Sequence, residues 1–260
     1  MALRTVYLHG LPGSPAELLL GPDQGAWLDP AQVLAPDRNK LTGTRAAVLS
    51  ALVKQIEQWA PGERVNLVGF SLGGAISLDL AQVLADRVER IDLVAPAAPL
   101  NLGDFLDDMA GGPLFRLAEN HPHSFALVAF LQGWVARWTP QLLAKALLAD
   151  VRGEDRRLVA DPAFRKMLRR ALQDTFACGP AAYRDEVRHY VADRGACLNA
   201  VTQPVFIWQG EEDNWVTPAM AQALASALPS PVHLNLLPGL SHYSALAWFL
   251  NGFNPGGSRP

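Results

Sequence analysis

A serine between glycines is the first group in this chain that could do chemistry. The segment Gly69-Phe-Ser71-Leu-Gly73 matches the pattern G-x-S-x-G, in which a serine stands on a tight turn between a strand and a helix. Glycines two positions to either side remove side chains that would collide in such a turn. Apolar residues before the motif predict the strand, and residues 72–85 predict the helix. The pattern predicts that Ser71 is a nucleophile; the alternative is an ordinary glycine-rich turn in which Ser71 caps the helix.

Two further loops, each directly after a predicted strand, carry a candidate acid and a candidate base. The alternatives are a solvated acidic loop and a helix-capping or surface histidine. Residues 205–209 are followed by Gly-Glu-Glu-Asp213, and residues 232–237 by Pro-Gly-Leu-Ser-His242. Loops at the carboxyl ends of parallel strands meet at one edge of a sheet, where ligand sites gather. An aspartate there can orient a histidine that takes the proton from Ser71. The two glutamates before Asp213 compete for this role, and the G-x-x-D spacing favours Asp213.

The loop after the first predicted strand could hold an oxyanion. The segment His9-Gly-Leu11-Pro-Gly13 follows residues 4–8, and a serine nucleophile needs N–H donors for the tetrahedral intermediate. In this arrangement one donor follows the nucleophile and the other comes from an earlier strand–helix loop. We therefore predict the backbone N–H groups of Leu72 and Leu11 as the donors, the alternative being a simple turn. His9 is expected to hold the loop rather than to act as the base.

Short strand-like runs that alternate with helical patterns predict the architecture that positions these loops. Such alternation indicates a mostly parallel central sheet with helices on both faces. The predicted strands are residues 4–8, 32–35, 64–69, 90–95, 205–209 and 232–237. The predicted helices around them are residues 44–59, 72–85, 219–228 and 242–250. The fold class is therefore α/β.

A long middle segment breaks this alternation. Between about residues 102 and 198 the patterns are helical only, at residues 112–119, 124–137, 140–148, 162–177 and 180–192. The sequence thus predicts a core made of residues 1–101 and 203–260, with residues 102–202 inserted as a helical cap or lid. Phe125, Trp134 and Trp138 lie close to helical spacing in the insertion and are candidates for an apolar substrate pocket over Ser71. The alternative is that these side chains only pack the cap helices together.

Composition limits the class of protein. The chain has 260 residues, of which 50% are hydrophobic and 18% charged, and a formal net charge of -3. The negative charge does not favour nucleic acid or an anionic membrane as a partner. The N-terminus lacks the pattern of a secretory signal, and no apolar run reaches the ~20 residues of a membrane span. We expect a cytoplasmic protein that acts on a small molecule; the oligomeric state is left open.

Signals for cofactors and metals are lacking in the sequence. It has no HExxH pattern and no paired CxxC, and the glycines near the N-terminus lack the full dinucleotide spacing. We therefore expect neither a cofactor nor a metal ion. Cys178 and Cys197 are expected to be reduced and buried, the alternative being a single disulfide.

Taken together, the four loops resemble those of the α/β-hydrolase superfamily, in its esterase and proline-iminopeptidase-like branch with a helical cap. The resemblance covers roughly residues 3–101 and 203–251, and the middle segment matches only a generic cap. It implies an eight-stranded sheet, of which six strands are predicted here, beginning with the family's third. Haloalkane dehalogenases carry aspartate where this chain has Ser71, which argues against that chemistry. Proline iminopeptidases typically carry a Gly-Gly-Ser-Trp-Gly elbow, which Phe70 and Leu72 do not match.

These residues predict a serine hydrolase that cleaves a small-molecule carboxylic ester through an acyl-serine intermediate. Two alternatives stay open. The same scaffold supports other cofactor-free chemistry, such as perhydrolysis, C–C bond hydrolysis or lyase reactions. It also supports small-molecule receptors or signalling proteins that retain the three catalytic residue types. A substrate is not identified by any motif of the insertion.

Overall fold

A parallel sheet of six strands forms the centre of the structure, a computed structural model that describes residues 3–22, 25–192 and 198–255. The strands are β1 (Arg4–Leu8), β2 (Val33–Leu34), β3 (Val65–Phe70), β4 (Val88–Val94), β5 (Val205–Gly210) and β6 (Val232–Leu237). Their order across the sheet is β2-β1-β3-β4-β5-β6, and all neighbours run parallel. The loops after β1, β3, β5 and β6 therefore leave the sheet at the same edge.

The described residues also form ten α-helices. They are α1 (Arg45–Trp59), α2 (Leu72–Leu84), α3 (Gly112–Asn120), α4 (Pro122–Trp138), α5 (Pro140–Leu147), α6 (Asp155–Leu158), α7 (Pro162–Thr175), α8 (Ala181–Ala192), α9 (Pro218–Ala227) and α10 (His242–Gly252). Local signals explain their starts: the Thr44 hydroxyl accepts a hydrogen bond from the Ala47 N–H at α1, and α9 has proline in its first turn. The α/β fold class predicted from the sequence is confirmed.

Burial follows the position of each strand in the sheet. The central strand β3 is buried along its whole length, which is why its sequence is a nearly continuous apolar run. The edge strand β6 is only partly covered. The predicted strand at residues 32–35 shrinks to the two residues of β2. The four-residue helix α6 was not predicted, because one turn is too short to establish a helical period.

The helices α3 to α8 follow one another between β4 and β5 in the sequence. They are tied to the sheet part by polar contacts: the Tyr190 hydroxyl donates to the Ala98 carbonyl at 2.8 Å, and Arg38 pairs with Glu186 at 2.6 Å. The division into a core and a cap at residues 102 and 202 stays a prediction. None of the helices in the described parts of the chain combines the length and the apolar character needed to span a bilayer.

Cysteine burial differs from the expectation. Cys178 is a free thiol and is exposed, because it lies in the turn after α7 rather than on a packed face. Cys197 lies outside the described residues. The prediction that the cysteines are buried is therefore wrong for Cys178.

Candidate active site

Ser71 occupies the turn between β3 and α2 in a strained backbone conformation. Its φ and ψ are 55° and −125°, outside the regions that L-residues ordinarily adopt. The Ser71 N–H donates to the Val94 carbonyl at 3.0 Å, which fixes the turn to the neighbouring strand. The hydroxyl makes no hydrogen bond to any residue that the structure describes, so it is available to a reactant.

The glycines of the motif are required by close backbone approach. A Cβ on Gly69 would come within 2.6 Å of the Gly73 carbonyl oxygen. A Cβ on Gly73 would come within 2.0 Å of the Leu8 carbonyl oxygen at the end of β1. Both distances are far below van der Waals contact, so side chains at these positions would push the serine turn away from the sheet.

His242 and Asp213 form a buried pair on two neighbouring loops. The His242 Nδ1 and Asp213 Oδ2 atoms are 2.8 Å apart, and both side chains are almost fully buried. Asp213 Oδ1 accepts hydrogen bonds from the N–H groups of Trp215 and Val216, which fixes the carboxylate. Because Asp213 accepts a hydrogen bond from Nδ1, the neutral imidazole carries its proton on Nδ1. The Nε2 atom is then free to accept a second proton.

The imidazole of His242 is placed next to the serine turn. Its ring centre lies 4.7 Å from that of Phe70, the residue before Ser71, and 6.2 Å from that of Trp215. Burial lowers the pKa of His242, but the charge and hydrogen bond of Asp213 raise it more, so the pKa lies above its ordinary value of 6.5. No direct hydrogen bond joins His242 to Ser71 among the described residues; such bonds often form only when substrate is bound.

Glu211 and Glu212, the competitors of Asp213 for the orienting role, are exposed. Neither carboxylate contacts His242 in the part of the chain that the structure describes. The short turn after β5 directs Glu211 and Glu212 to the solvent and Asp213 to the interior. There the Gln209 Nε2 atom lies 3.4 Å from Asp213 Oδ2. The structure thus brings His242 together with Asp213 alone of the three acids.

Leu11 and Leu72 present unused N–H groups at the same place. Neither backbone N–H donates a hydrogen bond to any of the described residues. Both residues line one cavity together with Ser71. Two free N–H groups beside a serine hydroxyl, one of them at the N-terminus of α2, form the donor set that an oxyanion requires.

The cavity above Ser71 has a volume of about 460 Å³. Its wall is mostly apolar, and much of it comes from Phe115 on α3, from Leu143 and Leu147 on α5, and from Phe176 directly after α7. Cavities of this size and character are typical of small-molecule sites.

The residues predicted for this pocket are placed elsewhere. Phe125 is buried within the helical layer and contacts Tyr183, while Trp134 and Trp138 are 59% and 64% exposed. None of the three lines the cavity. The pocket prediction is wrong for them because helical spacing identifies a shared face but not what that face packs against. On α4 it is Gln132 that reaches the cavity.

Comparison with known proteins identifies the family. A family model described as "alpha/beta hydrolase fold" matches residues 35–246. The chain belongs to this α/β-hydrolase family. No curated protein matches the sequence closely enough to count as a relative.

Solved structures share the hydrolase fold with this chain. They include a bromoperoxidase from Bacillus anthracis, with a TM-score of 0.66 and 16% identity over 95% of this chain and 87% of that one. A thermophilic esterase from Thermogutta terrifontis has a TM-score of 0.66 and 17% identity over 94% of this chain and 84% of that one. An enol-lactonase from Burkholderia xenovorans LB400 has a TM-score of 0.59 and 20% identity over 94% of this chain and 85% of that one. At these identities the likeness establishes the fold alone.

Glu17 is a buried carboxyl of this α/β-hydrolase family member that sequence reasoning missed. It lies in a short 3₁₀ helix, Pro15–Leu20, and is 1% exposed. Its oxygens accept the Gly10 N–H at 3.0 and 3.2 Å and the Tyr7 hydroxyl at 2.8 Å. Glu17 therefore braces the loop that carries Leu11. A lone glutamate among leucines after a glycine loop was the available signal.

Glu17 makes the stability of the folded protein depend on pH. Burial raises the pKa of Glu17 from 4.5 to about 7, against the lowering effect of its hydrogen bonds. The folded state then binds this proton more tightly than the unfolded state. The free energy of unfolding should fall as pH rises from about 4.5 to 7, by about 3 kcal/mol. Glu17→Gln should remove this fall.

Urea unfolding at pH 5 and pH 8 measures this effect. Relative to the wild type, Glu17→Gln should gain stability on going from pH 5 to pH 8. The exposed Glu211→Gln serves as the matched control and should follow the wild type at both values. Equal pH dependence in the wild type and in Glu17→Gln would contradict the assignment.

Asp155 is a second buried carboxyl that sequence reasoning missed. Its two oxygens accept the N–H groups of Tyr243 and Ser244 at 3.0 and 2.7 Å, in the first turn of α10 directly after His242. Nearby, the Asn214 side chain donates to the Asp150 carbonyl at 2.8 Å. The stretch from Asp150 to Asp155, which ends at the first residue of α6, thus contacts both the loop that carries Asp213 and the start of the helix that carries His242. Asp155 was not identifiable from sequence because its partners are 88 and 89 positions away.

A metal site has no support within residues 3–22, 25–192 and 198–255. No three His, Cys, Asp or Glu side chains in those ranges group in a way that could hold a metal ion.

Proposed function

We propose that this protein is a serine hydrolase that cleaves small-molecule carboxylic esters, with Ser71, His242 and Asp213 as its catalytic residues. The observation that carries the proposal is the buried pair of His242 and Asp213, whose Nδ1 and Oδ2 atoms are 2.8 Å apart. Next to this pair, Ser71 has a strained backbone and a hydroxyl that makes no hydrogen bond to the described residues. Ester hydrolysis needs a nucleophile, a base with a fixed tautomer and oxyanion donors. In this proposal Ser71 is the nucleophile, His242 the base, and the N–H groups of Leu11 and Leu72 the oxyanion donors.

The reaction runs in two halves. His242 Nε2 takes the proton of Ser71 Oγ as that oxygen attacks the ester carbonyl, and the oxyanion rests on the N–H groups of Leu11 and Leu72. The intermediate collapses, and the leaving alcohol receives the proton from His242. Water, deprotonated by His242, then attacks the acyl-serine. As the bond to Ser71 Oγ breaks, His242 returns the proton to that oxygen, which releases the acid and restores the Ser71 hydroxyl.

Asp213 stabilises the imidazolium that forms twice in this cycle. Because it is buried and accepts two backbone N–H groups as well as the imidazole, it stays oriented through both proton transfers. The inserted helices act as a cap in this proposal. Their apolar side chains exclude water from the reacting carbonyl and bind an uncharged acyl or alcohol group.

Hydrolysis of p-nitrophenyl esters from acetate to octanoate tests the proposal. The purified wild type should hydrolyse at least one of them well above the buffer rate, with no metal or cofactor added. The names of two structural neighbours, an esterase and an enol-lactonase, justify adding a lactone series. A folded protein that turns over none of these esters would contradict the proposal and favour a receptor.

The pH profile of this hydrolysis should report His242. The neutral form of His242 is needed as the base, so kcat/KM should fall as the pH is lowered, with a midpoint above pH 6.5. Asp213, Asp155 and Glu17 are the charged groups that raise the pKa of His242 against burial. Asp155→Asn removes one of these charges and should move the midpoint to lower pH.

A matched substitution separates this effect from simple helix capping. Asp161 caps α7 through the Ala163 N–H at 2.8 Å but lies on the surface, away from His242. Asp161→Asn should leave the midpoint where it is in the wild type. A profile that Asp155→Asn does not shift would remove Asp155 from the positioning of the base.

A further inference from the structure

Besides Ser71 and the charged Asp150, an amide and a phenol side chain lie in the mostly apolar wall of the cavity. They are Gln132 on α4 and Tyr183 on α8. Most of the other residues around the cavity are apolar, and of all the described residues that line it only Asp150 carries a charge. A polar pair in such surroundings is costly unless something hydrogen-bonds to it.

The two side chains form one spot on the wall. Tyr183 is 2% exposed and held between aromatic rings, with centres 5.0 Å from Phe176 and 6.1 Å from Phe125. Burial raises the pKa of Tyr183, and interaction with the Gln132 side chain works against that rise. The tyrosine hydroxyl is therefore neutral and lies beside the Gln132 amide.

The Gln132 amide has unused hydrogen-bonding capacity. Its Oε1 atom is buried and has no partner among the described residues. A glutamine amide offers two donors and an acceptor, and a tyrosine hydroxyl one donor and an acceptor. Because Oε1 is closed off from the cavity, the groups of the pair that a ligand can meet are the Nε2 donors of Gln132 and the Tyr183 hydroxyl.

We propose that Gln132 and Tyr183 form a polar subsite that selects esters carrying a neutral hydroxyl or amide group on an otherwise apolar chain. The charge of the wall argues for a neutral group. A substrate carboxylate would find no cation among the described lining residues. A substrate ammonium would find only Asp150, whose side chain is 75% exposed and already contacts Asn214.

This inference rests on the proposed ester hydrolysis and adds a substrate class to it. Ser71 and the pair share one cavity of about 460 Å³, so a single substrate of moderate size can reach both. The carbonyl would be held by the oxyanion donors while the polar group of the substrate meets the Gln132 amide and the Tyr183 hydroxyl. A site built to hydrogen-bond a substrate group discriminates strongly against the analogue that lacks it.

Matched ester pairs test the subsite. Each pair consists of a p-nitrophenyl ester of an n-alkanoic acid and of its ω-hydroxy analogue, from four to ten carbons. The readout is the ratio of kcat/KM for the hydroxylated ester to that for the plain ester. In the wild type this ratio should be about tenfold or more at one chain length, which is what one good hydrogen bond provides. Esters with ω-carboxylate or ω-ammonium groups should be poorer than the hydroxylated ester.

Substitutions assign the preference to the pair. Gln132→Met and Tyr183→Phe keep the shape of each side chain and remove its polar group, so each should bring the ratio towards one. Gln141→Met changes an exposed glutamine on α5 that lies outside the cavity and should keep the wild-type ratio. Labelling of Ser71 by a fluorophosphonate is followed in parallel.

The outcomes separate the two proposals. If Ser71 is labelled and plain esters are hydrolysed but the ratio stays near one at all lengths, the subsite is refuted and the hydrolase stands. The subsite is also refuted if Gln132→Met lowers kcat/KM by the same factor for the hydroxylated and the plain ester, or if the ω-ammonium ester has the higher kcat/KM. If Ser71 is not labelled and no ester is hydrolysed, the hydrolase proposal fails, and the subsite fails with it.

Discussion

Replacement of Ser71 by alanine should reduce kcat for ester hydrolysis by at least about 10⁴-fold, the scale seen when a serine nucleophile is removed. The loss is large because the acyl-serine cannot form, and only the oxyanion donors and substrate binding remain. The substitution should leave the fold intact. Alanine already occupies strained positive-φ positions in this chain, at Ala85 with φ of 42° and at Ala95 with φ of 45°.

A second serine provides the control for this experiment. Ser226 lies on the exposed side of α9, where its hydroxyl donates to the Gln222 carbonyl. Ser226→Ala should retain wild-type kcat, and both variants should show the wild-type thermal midpoint. If Ser71→Ala is folded and still hydrolyses esters at near the wild-type rate, another group is the nucleophile.

Asp213→Asn should reduce kcat by about 10⁴-fold, with little change in structure. An asparagine can keep the hydrogen bonds from the N–H groups of Trp215 and Val216 through its carbonyl oxygen. Its amide would then donate to His242 Nδ1, which forces the proton onto Nε2. An imidazole in that tautomer is unable to accept the Ser71 proton, so the cost lies in kcat rather than in substrate binding.

The neighbouring acid gives the matched control for this substitution. Glu212→Gln removes a carboxylate one residue away that is exposed and does not touch the imidazole. Its kcat should stay within about twofold of the wild type, as for surface charges that are screened by solvent. Comparable losses in Asp213→Asn and Glu212→Gln would mean that net acidity of the loop matters, rather than the oriented 2.8 Å contact.

The sequence predicted the parts of this molecule that depend on local pattern. The strands around Val65 and Val205 are apolar runs ended by glycine, and the turns after them have the residue types that only a few conformations accept. Because the strands are parallel, the loops after them meet at one edge. The sequence alone therefore predicts that Asp213 and His242 lie near each other.

The parts that sequence missed depend on contacts between distant segments. Glu17 and Asp155 look like ordinary acidic residues in helical segments, and their roles arise only because each meets backbone N–H groups of another loop. The error at Trp134 and Trp138 has a related cause. Amphipathic spacing on α4 does not say which side faces the cavity, and the aromatic residues turned out to lie towards solvent.

Fluorophosphonate labelling followed by mass spectrometry of the digested protein tests the central claim most directly, because the probe reacts only with a serine that its surroundings activate. The account predicts one adduct, on the peptide that contains Ser71, at pH 8. The adduct should be absent in Ser71→Ala and strongly reduced in Asp213→Asn. A folded wild-type protein with no adduct, or with the adduct on another serine, would contradict the assignment of Ser71 as an activated nucleophile.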